Sequence, residues 1–184
     1  SGVSATALTT SGATIVWTTN ENATTQVEYG TTTAYGATSA LNSSLMTAHS
    51  VALTGLTPNT MYNFRVWSKD AANNTATPTN MTFTTAALDL AAPVMGSVLS
   101  SNASTTATVT WTTNEPATSK VYYGTTTPFV FNTAATQSSA ALTMSHSIML
   151  TGLAPNSTYT FVAESTDASS NVSSSTPNTF TTSI

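Results

Sequence analysis

Hydrophobic and polar residues alternate with a period of two along most of the chain. Such alternation is typical of β-strands that have one buried face and one wet face. Helical spacing is not sustained anywhere, so we predict an all-β protein with about seven short antiparallel strands in each half. The alternating pairs include Ile15 and Trp17, Val27 and Tyr29, Val51 and Leu53, Tyr62 and Phe64, Val109 and Trp111, Val121 and Tyr123, Ile148 and Leu150, and Tyr159 and Phe161.

The chain carries the same module twice. Residues 17–33, WTTNENATTQVEYGTTT, match residues 111–127, WTTNEPATSKVYYGTTT, and LTGLTPNTMYNF (53–64) matches LTGLAPNSTYTF (150–161). A repeat of this length is a whole domain, because solenoid units span only about 20 to 50 residues. We predict two tandem immunoglobulin-like β-sandwiches, residues 1–87 and residues 88–184. The second has a short insertion between Gly124 and His146.

The repeated phrases predict details of each sandwich. Trp17 and its counterpart in copy two should fill the core, and TTNE should follow where the strand leaves the sheet. The next strand ends at Gly30 in copy one, and at Gly124 in copy two, where glycine allows a positive φ. The run GLTPNTMY or GLAPNSTY predicts a buried tyrosine, Tyr62 or Tyr159, that hydrogen-bonds a nearby backbone group.

These features together resemble a known fold. The inward tryptophan, VEYG or VYYG, LTGLxPN, the Tyr-x-Phe pair, and the closing TFTT are similar to those of fibronectin type III domains. In particular, they are similar to the subgroup found as the N-terminal, non-catalytic domain of purple acid phosphatases and in many bacterial surface proteins. The resemblance implies a β-sandwich but no particular activity, since such sandwiches serve adhesion, spacing, filament-building and carbohydrate-linked roles.

Composition excludes several function classes. Charged residues make up 5% of the chain, against about 25% in a typical soluble domain, and the net charge is only −4. The cations are Arg65, Lys69 and Lys120, so no basic patch is available for nucleic acid. No apolar run is long enough to insert in a membrane, and the absence of cysteine excludes disulfides and thiol catalysis.

The ionisable residues do not form a recognisable site. Each copy has one histidine, His49 or His146, which we interpret as structural or exposed because no second metal ligand is in register. The pairs Asp70 with Asn74, and Asp167 with Asn171, predict Asx-type turns and offer too few oxygens for calcium. Glu21 and Glu115 are interpreted as lone loop carboxylates. We therefore predict no catalytic residue, no cofactor and no metal site.

Two kinds of surface feature are candidates for contact. Trp67 should point outward, and PFVF (128–131) would place Phe129 and Phe131 on one side if it forms a strand. These three aromatics form a candidate interface, although the PFVF segment could instead fold back over its own sandwich. Sequons for N-glycosylation begin at Asn22, Asn42, Asn73, Asn80, Asn102, Asn156 and Asn171.

We predict a non-enzymatic extracellular or cell-surface structural protein. Its leading role would be as a subunit of a surface appendage, filament or layer. Because the chain carries little charge, electrostatic repulsion between closely packed subunits would be weak. Partners would be further copies of the chain or neighbouring surface proteins, and glycans are additional candidates. Head-to-tail stacking, or strand exchange at an exposed edge, would join the copies. The alternative is an adhesion, carbohydrate-binding or spacer module excised from a larger secreted enzyme or adhesin.

Overall fold

The chain forms two compact all-β units, Ser1–Leu88 and Asp89–Ile184. A computed structural model describes residues 1–76, 78–126 and 128–184, together with the backbone but not the side chain of Asn132. Within these ranges the only helical element is a single 3-10 turn, Phe131–Thr133. The all-β prediction is therefore confirmed.

The described residues of the first unit form six antiparallel strands. They are β1 (Ser4–Thr6), β2 (Gly12–Gly30), β3 (Ala37–Thr38), β4 (Asn42–Thr54), β5 (Met61–Trp67) and β6 (Met81–Thr84). The first half of β2 pairs with β1 and β4, and its second half pairs with β3 and β5 while keeping two further pairs with β4, at Ala23 and Thr25. The long strand thus passes from one sheet of the sandwich to the other, with register shifts against β4 after Thr18.

The described residues of the second unit also form six strands. They are β7 (Leu99–Asn102), β8 (Thr106–Gly124), β9 (Ala135–Thr151), β10 (Thr158–Thr166), β11 (Val172–Ser174) and β12 (Asn178–Thr181). Strand β8 pairs with β7, β9 and β10. Strand β9 pairs along both halves of β8 and so replaces β3 and β4, and β11 is additional. The expected seven strands become six in each unit because TTNE does not end a strand. It continues within β2 and β8, which each join two of the expected strands.

Each unit has its own hydrophobic core. Trp17 is 3% exposed and Phe64 is fully buried, and Trp111 and Phe161 hold the matching positions in the second unit. Inward residues of both sheets meet there, as the alternating pattern predicts. The buried residues of the core are Ala13, Ile15, Trp17, Val27, Leu53, Leu56, Tyr62, Phe64 and Phe83 in the first unit, and Ala107, Val109, Trp111, Val121, Ile148, Leu150, Leu153, Phe161, Ala163 and Phe180 in the second.

The predicted tyrosine hydrogen bond forms in both units, although Tyr62 is buried and Tyr159 is only partly buried. The Tyr62 hydroxyl accepts a hydrogen bond from the backbone N–H of Thr57 at 3.0 Å. The Tyr159 hydroxyl accepts one from the backbone N–H of Ala154 at 2.9 Å. Each bond ties the loop before a strand to that strand, which fixes the corner of the sandwich.

Gly30 is required for a reason other than the predicted one. Neither Gly30 nor Gly124 adopts a positive φ. A Cβ atom on Gly30 would instead overlap the backbone carbonyl of Tyr35, whereas on Gly124 it would meet the Phe129 ring at an ordinary 3.9 Å. Close approach of the following loop therefore selects glycine in the first unit only.

Candidate functional site

A histidine lies against the core tryptophan in each unit. The His49 ring stacks on Trp17 with centroids 4.9 Å apart, and its Nδ1 and Nε2 atoms lie 2.6 Å from Thr25 Oγ1 and 3.0 Å from Thr19 Oγ1. His146 repeats this geometry with Trp111, Ser119 and Thr113. Both imidazoles are 3% exposed, so they are structural core groups.

The environment disfavours the charged form of both histidines. Burial lowers the pKa of His49 and of His146, and the chain N-terminus adds a smaller lowering effect at His49. Both ring nitrogens meet hydroxyl groups, which can donate to one nitrogen and accept from the other. An imidazole held this way has no free nitrogen with which to bind a metal or transfer a proton.

The aspartate loops form the predicted turns. Asp70 Oδ1 accepts from the Asn74 backbone N–H at 2.8 Å, and Asp70 Oδ2 accepts from the Asn74 side chain at 2.7 Å. The Asn74 side chain is the main group that lowers the pKa of Asp70. Asp167 accepts the same two bonds from Asn171. Burial alone would raise the pKa of Asp167, but these bonds outweigh it and the net pKa is lowered.

The second unit brings three carboxylates together, and sequence reasoning missed this. Oxygens of Asp89, Glu115 and Asp167 lie within 4.8 Å of one another. Glu21 and Glu115 were both expected on loops, but they lie within β2 and β8, and Glu115 is not alone. Burial and the two neighbouring aspartates raise the pKa of Glu115. Carboxylates suit hard cations, but three ligand atoms are fewer than the 6–8 oxygens that calcium takes, so the cluster does not by itself define a metal site.

An aromatic and ionic ladder covers the outer face of β2 and β5 in the first unit. The Arg65 guanidinium lies 4.6 Å from the ring centroid of Tyr35 and 5.0 Å from that of Trp67, so it is held between them. Its Nε atom also donates to Glu28 Oε2 at 2.5 Å. The Arg65 side chain is therefore held both by stacking on aromatic rings and by an ion pair.

Trp67 directs its polar edge inward. It points away from the core as predicted, on the same side of β5 as Arg65, but it is half-buried. Its indole N–H, followed by the Arg65 guanidinium, is the main cause of the lowered pKa of Glu28. The Nε1 atom is nevertheless buried and makes no hydrogen bond of normal geometry with the described residues. The part of the indole that can contact solvent is therefore its carbon surface.

A groove of about 300 Å³ opens beside this indole. Its walls include Leu41, which is 58% exposed, and polar groups from β2 and from the segment that follows β5. We call it the Trp67 groove, and it is lined by Thr24, Gln26, Glu28, Leu41, Trp67, Ser68, Lys69 and Thr75.

The second unit carries a different ladder on the matching face. Lys120 donates to the Tyr122 hydroxyl at 2.5 Å and lies 3.8 Å from Glu164. Phe131 meets the Tyr122 ring edge to face at 5.3 Å, and Phe129 meets Phe131 in the same way. PFVF does not form a strand: the segment turns at Phe131 and folds back on its own unit, which is the alternative that the sequence left open. Phe131 remains 47% exposed.

The predicted sequons lie mostly on the surface. Asn22, Asn42, Asn73, Asn80, Asn102 and Asn156 are exposed. Asn171 differs from these six because it is half-buried, and its side-chain amide donates to both the Asp167 carboxylate and the Asp89 backbone carbonyl. Glycosylation and contacts at Trp67, Phe129 and Phe131 stay predictions. Across the described ranges, no helix has the length and apolar character needed to cross a membrane.

Comparison with known proteins decides the family. The model for the purple acid phosphatase N-terminal domain matches residues 2–85 and again residues 95–182. The chain belongs to this family. It contains two purple acid phosphatase N-terminal-type domains in tandem, so the predicted resemblance is confirmed.

One curated relative shows how such domains are placed in a longer protein. The chain is 35% identical to endoglucanase B of Cellulomonas fimi over 184 residues, which is 97% of this chain and 17% of that protein. The purple acid phosphatase N-terminal-type pair thus spans about one sixth of that relative. A solved structure, the chicken CNTN1 FN1-FN3 domains, aligns with 100% of this chain and 67% of its own length, with a TM-score of 0.43 and 14% identity.

Proposed function

We propose that the chain is a non-enzymatic spacer segment of a larger extracellular protein, in which two rigid sandwiches separate or carry other domains. The observation that supports this best is how the ionisable groups are used. Arg65 pairs with Glu28, Lys120 pairs with Glu164, and both histidines lie between hydroxyls. Charges committed to structural contacts are not available as acids, bases or nucleophiles.

The relative supports the same proposal. A stretch that matches only 17% of an endoglucanase is a part of that protein, so a module role agrees with the comparison. The surface, rich in Thr and Ser and poor in charge, is suited to contact with neighbouring domains through hydroxyls and bound water.

The spacer role is tested by placing the chain between a donor and an acceptor fluorescent protein. A spacer gives one transfer efficiency that does not change with protein concentration, and the isolated chain hydrolyses neither 4-nitrophenyl phosphate nor soluble β-glucan. Transfer that rises with concentration, or turnover that survives further purification, would contradict the proposal.

A second candidate role is assembly into a surface filament or layer. Strands β4 and β9 pair on one side with β2 and β8, and their outer edges have no strand partner among the described residues. Neither strand contains a charged residue or a proline, the features that usually protect an open edge from pairing. Leu142 and Met144 on β9 are about half exposed, which adds apolar surface beside that edge.

Assembly is tested by light scattering and negative-stain microscopy of the isolated chain. If the edges pair, the chain forms polymers, and Leu142→Lys on β9 shortens them because a charge at the edge opposes strand addition. Leu45→Lys on β4 shows which of the two edges is used. A chain that stays monomeric at high concentration contradicts this second role and leaves the spacer proposal intact.

A further inference from the structure

The Trp67 groove combines an aromatic wall with hydrogen-bonding groups. The indole Nε1 atom is buried, and Arg65 covers one face of the ring. The remaining carbon surface lines the groove, with the exposed side chain of Leu41 among the other walls. A partly exposed indole and an exposed leucine that line one groove are typical of a binding site.

We propose that the Trp67 groove is a binding site for a neutral saccharide, which goes beyond the spacer role. One face of a pyranose ring presents C–H groups that are weakly positive, and the face of an indole is negative. The rim of the sugar presents hydroxyls, each of which needs a donor or an acceptor. A site for such a ring therefore needs both an aromatic surface and uncharged polar groups at its edge.

The polar residues of the groove meet the second requirement. Gln26 donates its side-chain N–H to the Ser39 carbonyl at 3.2 Å, which fixes the amide and turns its oxygen to other partners. Thr24 Oγ1 accepts from the Lys69 backbone N–H at 3.1 Å, and its own hydroxyl hydrogen remains to be donated. Thr75 supplies a further hydroxyl. These groups are held by the strands and would not need to be ordered on binding.

The charges favour a neutral ligand over an acidic one. The Glu28 carboxylate and the Arg65 guanidinium are paired with each other, so their net contribution to the groove is close to zero. Lys69 is exposed, and a single cation in water attracts an anion only weakly. An acidic sugar would therefore gain little here that a neutral sugar would not.

The second unit contains a natural comparison for this site. Glu164 occupies the position of Trp67, and Lys120 occupies the position of Gln26. Lys120 and Glu164 lie 3.8 Å apart, so an ion pair stands where the first unit has an indole and an amide. A groove of similar size exists there, but it is lined by small polar residues and this pair, with no aromatic wall. We therefore assign the saccharide site to the first unit alone.

Titration calorimetry of the full chain tests this assignment. The probes are cellohexaose, maltohexaose and chitohexaose as neutral sugars, and an oligogalacturonate as the acidic one. Because the groove is small and open, we expect at least one neutral probe to bind with a Kd on the order of 0.1 to 1 mM. Trp67→Ala should weaken that binding about tenfold or more, since the stacking surface is lost, and Glu164→Ala in the second unit should not change it.

A second pair of variants avoids any effect of Trp67→Ala on folding. Leu41→Glu changes an exposed wall of the groove and should weaken binding, whereas Leu45→Glu changes an exposed leucine outside it and should not. The proposal is overturned if no neutral probe binds, or if binding is equal in wild type, Trp67→Ala and Leu41→Glu. It is equally overturned if only the oligogalacturonate binds and salt abolishes that binding. None of these results would contradict the spacer role.

Discussion

The Trp17 indole lies flat against the His49 imidazole, with centroids 4.9 Å apart and planes inclined by 14°. The same indole donates its N–H to Ser68 Oγ at 2.9 Å. One side chain therefore joins three strands, β2, β4 and the end of β5, through stacking and a buried hydrogen bond. Trp111 does the same in the second unit with His146 and Ser165.

Removal of either tryptophan should unfold one unit and spare the other. Trp17→Ala deletes the largest core side chain of the first unit, and such changes cost about 3–5 kcal/mol. Calorimetry should then show one early transition for the first unit and an unchanged transition for the second. Trp111→Ala is the matched variant and should reverse the assignment. A single transition that shifts as a whole in both variants would contradict separate cores.

The buried histidines should make stability fall in mild acid. Their pKa is lowered in the folded state from about 6.5, so the unfolded chain binds protons more readily. Stability is therefore full above about pH 6.5 and decreases as the pH falls below it. The aspartate loops add a separate loss at lower pH, near and below the ordinary aspartate pKa.

Melting temperatures measured between pH 7.5 and 5 test the histidine effect. Wild type should melt at a lower temperature as the pH is reduced across this range. The double variant His49→Gln, His146→Gln should be less stable throughout but much less dependent on pH. Identical melting temperatures of the wild type at pH 7.5 and pH 5 would show that burial does not lower the pKa of the two histidines.

Gly30 and Gly124 give opposite expectations for the same substitution. Gly30→Ala places a methyl group on the Tyr35 carbonyl, so the backbone must move, and overpacking of this kind costs about 1–3 kcal/mol. Gly124→Ala meets only the edge of Phe129 and should change the free energy of unfolding by less than about 0.5 kcal/mol. Urea denaturation of both variants measures the difference. Equal effects would mean that the Tyr35 loop does not lie as described.

Glu115 should destabilise the second unit at neutral pH. Its pKa is raised, so the folded state favours the protonated form, and the stability linked to that proton is lost as the pH rises through the folded pKa. Glu115→Gln should therefore raise the melting temperature at pH 7 and have little effect near pH 4. Glu21→Gln, at the matching position of the first unit, is the control.

The opposite outcome for Glu115 would reveal a bound cation. A metal ion that is held by Asp89, Glu115 and Asp167 would reverse the effect, because removal of a ligand would then lower stability. If Glu115→Gln lowers the melting temperature and EDTA does the same to the wild type, repulsion among the carboxylates is not the controlling interaction.

The sequence predicted the sandwich because inward and outward positions alternate over most strands. The same rule, applied to His49, would have predicted its burial, since it shares the side of β4 on which Val51 and Leu53 face inward. The carboxylate cluster could not be predicted in this way. Asp89 and Asp167 are far apart in the chain, and only the folded loops of the second unit bring them to Glu115. The turn at Phe131 likewise depends on its contact with Tyr122, which lies on another element.

Forced unfolding of single molecules tests the central claim, that each half is a self-sufficient sandwich. The units contain 88 and 96 residues. At about 3.4 Å for each extended residue, each should release roughly 300 Å of chain in its own event. We expect two separate events of this size in every complete trace, and only one of them in Trp17→Ala. One event that releases roughly 600 Å would show a merged core and contradict the account.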